Sequence, residues 1–130
     1  MNFDIEKKFV KEFIKKELQD RLIFELQSSK RREKALSRFS HNAENLFKNP
    51  FEICDEAKIK KHFDKEQCNK KCYVLSWDET DASFLSMDQA LAKCFNSAMS
   101  LILIFDEGAI IKEEWEKSKA NFFFLKSIKK

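Results

Sequence analysis

Four thiol and imidazole side chains within nineteen residues are the first candidates for chemistry in this sequence. They are Cys54, His62, Cys68 and Cys72. Such side chains hold tetrahedral zinc, but usually as close cysteine pairs on turns. Here seven, five and three residues separate successive members, and no glycine lies among them. The spacing therefore favours free thiols, and we predict no metal and no other cofactor.

Nucleophilic catalysis would pair a cysteine with one of two histidines, His41 and His62. No local signature of an activated nucleophile accompanies either histidine. The single glycine cannot build a glycine-rich phosphate loop. We therefore predict a protein that is not an enzyme, and an enzyme of unrecognised type using His41 or a cysteine is the weaker alternative.

Acidic side chains form a second set of candidates, because residues 73–116 hold nine acids against two lysines. The acids considered are Asp78, Glu79, Asp81, Asp106, Glu107, Glu113, Glu114 and Glu116. Their spacing matches no calcium loop. Several lie in predicted turns at strand ends, and Trp77 and Trp115 lie close by in the sequence. If the turns converge, Asp78, Glu79, Asp81, Asp106, Glu107, Trp77 and Trp115 would bind a protein with a basic surface. The alternative is a solvated acidic rim around two core tryptophans.

A basic run at the start of a predicted helix is the third set. It comprises Lys30, Arg31, Arg32, Lys34 and Arg38. Five cations within nine residues could neutralise the phosphates of a nucleic acid. A solvated helix face explains the same pattern, so a nucleic-acid-associated regulator is the alternative function.

Helices are predicted first along the chain. Apolar residues recur every three or four positions from Ile5 to Leu26, with a break predicted at Gln19–Asp20, and again from Ala35 to Phe47. Asp55 can cap a short helix that buries Ile59 and Phe63.

Strands are predicted in the second half, at Cys72–Trp77, Leu101–Phe105, Ala109–Ile111 and Asn121–Leu125. Ser86 and Gln89 form a capping box that begins an intervening helix. Gly108 can adopt the positive φ of a hairpin turn. We therefore predict a single α+β domain over residues 1–130. Its helical part, about 1–70, packs on a sheet of about four strands, about 72–126, in the order β-α-β-β-β.

The environment of the chain is predicted from what its sequence lacks. Charges interrupt the N-terminal residues 1–16, so no secretory signal is expected. The longest apolar run, Leu101–Phe105, is far short of a membrane span. We predict a cytoplasmic protein with no membrane partner and with reduced cysteines.

Several stretches resemble a family of small uncharacterised bacterial α+β proteins. They are Phe13–Ile14, Gln19–Leu26, Ser29–Arg32, Arg38–Asn42 and, most closely, the strand Cys72–Ser76; Gly108–Glu114 is similar in outline. The resemblance implies an α+β fold and no particular activity. More loosely, the chain resembles the immunity proteins that neutralise toxins in bacterial competition. That resemblance implies a non-enzymatic protein-binding module whose partner is a toxin domain.

Overall fold

The computed structural model describes residues 3–40, 43–48, 51–63, 70–96, 99–113 and 122–126. Within these ranges the helices are α1 (Phe3–Phe13), α2 (Lys16–Gln27), α3 (Arg32–Arg38), α4 (Glu56–His62) and α5 (Met87–Asn96), with a 3₁₀ turn at Ala43–Asn45. The strands are β1 (Glu52–Cys54), β2 (Lys71–Leu75), β3 (Ser83–Ser86), β4 (Leu101–Phe105), β5 (Gly108–Lys112) and β6 (Phe122–Lys126). The fold is therefore α+β, as the sequence predicts.

The strands form one antiparallel sheet in the order β1-β6-β5-β4-β2-β3. The prediction of about four strands was wrong in number, because the described residues already form a sheet of six strands. The four predicted strands correspond to the central ones, and the two missing from the prediction are the edge strands β1 and β3. Each edge strand is only three or four residues long, too short to carry a clear apolar pattern. β1 also lies within the part of the chain predicted to be helical, yet it pairs with β6.

Helices cover both faces of the sheet, which explains why the central strands show continuous apolar runs instead of alternation. The first face packs against the layer formed by α1, α2, α3 and the 3₁₀ turn. Its side chains are Tyr73, Leu75, Ile102, Ala109, Ile111, Phe123 and Leu125. The second face packs against α4 and α5. Its side chains are Cys72, Val74, Leu101, Leu103, Ile110, Phe122 and Phe124. The molecule thus has three layers.

The first helical segment breaks at Ile14–Lys15, five residues before the predicted break at Gln19–Asp20. Ile14 forms an isolated bridge with Phe47, and the Lys15 amide donates to the Leu46 carbonyl at 2.8 Å. Gln19 lies inside α2, and its side-chain amide donates to the Ile14 carbonyl at 2.9 Å. Gln19 therefore stabilises the break from within the next helix.

Local signals elsewhere are confirmed. The Asp55 carboxylate accepts from the Lys58 amide at 2.8 Å and caps α4. The Ser86 hydroxyl accepts from the Gln89 amide at 3.2 Å, and the Gln89 side chain accepts from the Ser86 amide at 3.4 Å, so the capping box begins α5. Gly108 has a φ of +153°, and a Cβ there would lie 1.9 Å from the Leu125 carbonyl oxygen. In contrast, α3 ends at Arg38, well before the predicted end near Phe47.

Candidate functional site

Arg32 is the centre of a buried polar network, and not a free cation of a basic patch. Its side chain is 9% exposed. The guanidinium binds both oxygens of Glu6, at 2.7 and 2.8 Å, and both oxygens of Asp81, at 2.7 and 3.1 Å. It also donates to the Leu26 carbonyl at 3.1 Å. The Tyr73 hydroxyl completes the network by donating to Glu6 at 2.6 Å.

This network removes one residue from each of two predicted sites. Arg32 was expected to meet phosphates and Asp81 to meet a basic partner, but the two bind each other. Burial acts to lower the pKa of Arg32, but the hydrogen bonds that Arg32 donates to Glu6 and Asp81 outweigh it and raise that pKa above its ordinary value. Arg32 therefore remains charged and committed to internal partners.

Arg38 is likewise committed to an internal partner. Its guanidinium donates two hydrogen bonds of 2.9 Å to the buried Glu25 carboxylate. The predicted basic patch thus reduces to Lys30, Arg31 and Lys34, which are exposed. The guanidinium of Arg31 lies 5.3 Å from the centre of the exposed Phe24 ring.

The loop after β2 is held together by Asp78. Its carboxylate accepts from the Ser76 hydroxyl at 2.9 Å, from the Thr80 amide at 2.9 Å and from the Lys93 ammonium. Burial acts to raise the pKa of Asp78, but these bonds hold it well below its ordinary value. Glu79 is exposed at the tip of the loop.

Of the two tryptophans predicted to anchor a partner, only Trp77 lies in the described part of the chain. Trp77 is half-buried against the first face, and its indole N–H donates to the Ser100 hydroxyl at 2.8 Å. Trp115 lies outside the described residues, as do Glu114 and Glu116. Glu113 is buried, and its carboxylate accepts from the Ala43 amide at 2.9 Å.

Strand direction separates the acidic groups that were expected to converge. Because β2 and β4 are antiparallel, with Leu75 opposite Ile102, the Asp78–Asp81 loop lies beside the start of β4. The turn Asp106–Glu107 follows the end of β4 and therefore lies at the opposite end of the sheet. Glu107 accordingly bridges Lys70, just before β2, at 3.3 Å. The hypothesis that all the acidic turns converge on one edge is wrong, because the two ends of a strand in an antiparallel sheet lie at opposite ends of the sheet, and Asp106–Glu107 follows the end of β4.

The structure instead shows a groove between α1 and the end of the sheet where Asp106 lies. Its volume is about 170 Å³. The apolar walls come from Phe9, Phe13, Tyr73, Phe84, Ile104 and neighbours. Lys8 and Glu12 of α1 line it on one side, and Lys71 and Asp106 on the other. Of the residues predicted to bind a partner, Asp106 is the one that lines this groove.

The candidate zinc ligands do not converge in the described part of the chain. Cys54 and Cys72 are buried in strands on the second face. The His62 ring packs edge-on against Phe63 and Phe124. Cys68 and His41 lie outside the described residues. Among the residues that are described, no three histidine, cysteine or acidic side chains could hold one metal ion.

Sequence reasoning missed Glu6, Tyr73 and the groove, although the sequence contains a signal for the network. Glu6 lies three, four and seven positions before Phe9, Val10 and Phe13, so it occupies the apolar stripe of α1. Arg32 stands in the same relation to Ala35, Leu36 and Phe39. Opposite charges on two apolar stripes indicate a buried ion pair.

No family model, curated protein or solved structure matches this chain. In the described ranges, no helix is long and apolar enough to cross a membrane.

Proposed function

We propose that this chain is a non-enzymatic protein-binding module of the immunity type, which inhibits a bacterial toxin by binding it through the groove beneath α1. The observation that carries the proposal is a preformed groove with apolar walls and charged margins. Protein interfaces concentrate their binding energy in such places, where a buried apolar anchor is surrounded by polar groups that exclude water.

The size of the groove supports a side chain as its occupant. Its volume of about 170 Å³ is close to the ~150 Å³ of a cavity that holds benzene. Sites for cofactors and drug-sized ligands are larger, at roughly 300 Å³ or more. One aromatic or aliphatic side chain of a partner therefore fits better than a nucleotide or a flavin.

The charges around the groove support a partner with a basic surface. Asp106 and Glu107 are exposed on the turn at one end, and Glu12 lies across from them on α1. A basic residue next to the inserted side chain would meet Asp106 directly. Lys8 and Lys71, on the same margins, would disfavour a partner that presents cations alone, which gives the groove selectivity.

A photo-crosslinking residue at position 8 tests this proposal in cells that encode the chain. Lys8 is exposed beside the groove. Ile53, 58% exposed on β1 at the other edge of the sheet, is the matched control. We expect one protein to be crosslinked at position 8 and not at position 53. The purified partner should then bind the chain and lose its toxic activity.

Charge reversal tests the role of Asp106 with that purified partner. Asp106→Lys should slow association and weaken binding, because the basic partner is repelled during encounter. Asp20→Lys reverses an exposed carboxylate on α2 that does not line the groove and should bind normally. Absence of any protein crosslink at position 8 would sink the proposal. Binding of nucleic acid that is lost when Lys30, Arg31 and Lys34 are reversed would support the alternative regulator instead.

A further inference from the structure

The edge strand β3 presents an open side of the sheet. Among the described residues it pairs with β2 alone, from Ser83 opposite Val74 to Ser86 opposite Lys71. The N–H groups of Ser83 and Ser86 already donate to Thr80 and Gln89, so the outer backbone of β3 near Phe84 is the template for another strand. Its four residues, Ser-Phe-Leu-Ser, carry no charge, and Phe84 is 51% exposed.

The opposite edge of the sheet is protected by charge. β1 has three residues and includes Glu52, which pairs with Lys58 of α4 at 3.0 Å. Charged side chains on an edge discourage pairing with another chain, because a second strand would have to desolvate them. β3 has no such protection, so it is the edge that favours strand addition.

The charges at the two ends of β3 have opposite signs. Asp78 and Glu79 lie in the loop that precedes it, and Lys70 and Lys71 lie beside its last residue. Lys93 already bridges Asp78, and Glu107 already bridges Lys70. The charges available to a partner are therefore the exposed Glu79 and Lys71.

Such an arrangement is self-complementary under two-fold rotation. An axis perpendicular to the sheet places two β3 strands side by side and antiparallel, with the acidic end of one beside the basic end of the other. Each copy then contributes the same patch to an isologous interface. The antiparallel pairing of the sheet then extends from one copy into the other around Phe84.

We propose that a second copy of this chain pairs with β3, with Phe84 of both copies opposite each other at the two-fold axis. Directly opposite residues of antiparallel strands point to the same face. Phe84 is opposite Tyr73 and packs edge-on against it with ring centres 5.2 Å apart. The second Phe84 consequently lies on the same face and extends the apolar wall of the groove. Pairing itself requires no toxin or other partner.

Molar mass measured against concentration for the purified chain tests the pairing. The wild-type chain should form a dimer. Phe84→Lys should be monomeric, because it places two ammonium groups next to each other at the axis. Ile53→Lys also replaces an exposed apolar side chain by lysine, but on the opposite edge of the sheet, and it should leave the dimer intact.

A charge swap keeps the test decisive if Phe84→Lys fails to fold. Lys71→Glu and Glu79→Lys should each raise the dimer dissociation constant by roughly tenfold, since each change acts twice in an isologous interface. The double variant restores opposite charges and should recover the wild-type constant. A chain that stays monomeric, or a dimer disrupted by Ile53→Lys instead of Phe84→Lys, would overturn the pairing and leave the proposed function intact. A dimer that acquires no protein crosslink at position 8 would overturn the proposed function alone.

Discussion

The two faces of the sheet are packed in different ways. On the face covered by α1, α2 and α3, Arg32 joins Glu6, Tyr73 and Asp81 beneath the helices. The face covered by α4 and α5 contains the thiols Cys54, Cys72 and Cys94 among aliphatic and aromatic side chains. Its buried cation, Lys112, donates to a backbone carbonyl, that of Cys94, at 2.8 Å.

Because of this difference, the first face fixes the relative positions of its elements, whereas the second face mainly buries apolar surface. Hydrogen bonds between charged groups have narrow distance and angle requirements, so the network specifies how α1, α3 and the loop after β2 meet. Apolar packing is less directional and tolerates substitutions that conserve volume. We therefore expect the first face to determine the position of the groove under α1, and the second face to provide apolar burial that depends little on pH below about 8, where its thiols are protonated in both states.

The largest expected effect is on the chemical reactivity of the thiols on the second face, which should be much lower in the native protein than in the denatured protein. Burial raises the pKa of Cys72 and Cys94 to about 12 and that of Cys54 to about 11. Because the thiolate is the reactive form, Cys72 and Cys94 should react with a thiol reagent at pH 8 about 1000-fold more slowly in native than in denatured protein, and Cys54 about 100-fold more slowly. A Cys68→Ser background restricts the measurement to these three residues. Fast labelling of Cys94 without denaturant would show that the second face opens locally.

The next effect is the loss of the network on the first face. Arg32→Ala leaves the Glu6 carboxylate buried with the Tyr73 hydroxyl, and removal of one partner from a buried ion pair costs about 3–5 kcal/mol. Urea unfolding at neutral pH measures the change. Arg32→Met combined with Glu6→Leu should recover much of the loss, since apolar replacement of both partners removes the buried charge. A loss below about 1 kcal/mol for Arg32→Ala would mean that the network contributes little to stability.

A smaller effect concerns the pH dependence of the first face. The hydrogen bonds from Arg38 outweigh burial and hold the pKa of Glu25 below its ordinary value of 4.5. A carboxylate with a lowered folded-state pKa stabilises the fold above its unfolded pKa, and this contribution is lost as the pH falls through the folded value. Arg38→Ala should therefore cost about 1–3 kcal/mol near pH 7 and progressively less below about pH 4.5. Equal losses at pH 7 and pH 3 would exclude this linkage.

The same contrast explains what the sequence could predict. Apolar periodicity and long apolar runs report burial, so they located α1, α2 and the central strands β2, β4, β5 and β6. The edge strands β1 and β3 are short and partly exposed, and their positions depend on neighbours that are distant in the sequence. The partners of Arg32 are 26 and 49 residues away; the apolar stripes mark Glu6 and Arg32 as buried, but no local pattern identifies Asp81 as the second partner. The convergence of the acidic turns could not be predicted for the same reason, because strand direction determines which turns share an end of the sheet.

The smallest expected effect tests the junction where β3 meets α5, on the second face. The Ser86 hydroxyl and the Gln89 side chain each accept a backbone N–H at the start of α5. Ser86→Ala leaves the Gln89 amide without this acceptor and should cost about 1 kcal/mol. Because both bonds are exposed and longer than 3.1 Å, water can replace part of their contribution, which keeps the loss small. Ser37→Ala, at an exposed position of α3, controls for the serine-to-alanine change within a helix and should be close to neutral. Urea midpoints of the two variants should therefore differ, with Ser86→Ala the less stable. If they coincide, the capping box contributes nothing measurable, and the position of α5 depends on its apolar packing and on the hydrogen bond from Lys112 to the Cys94 carbonyl.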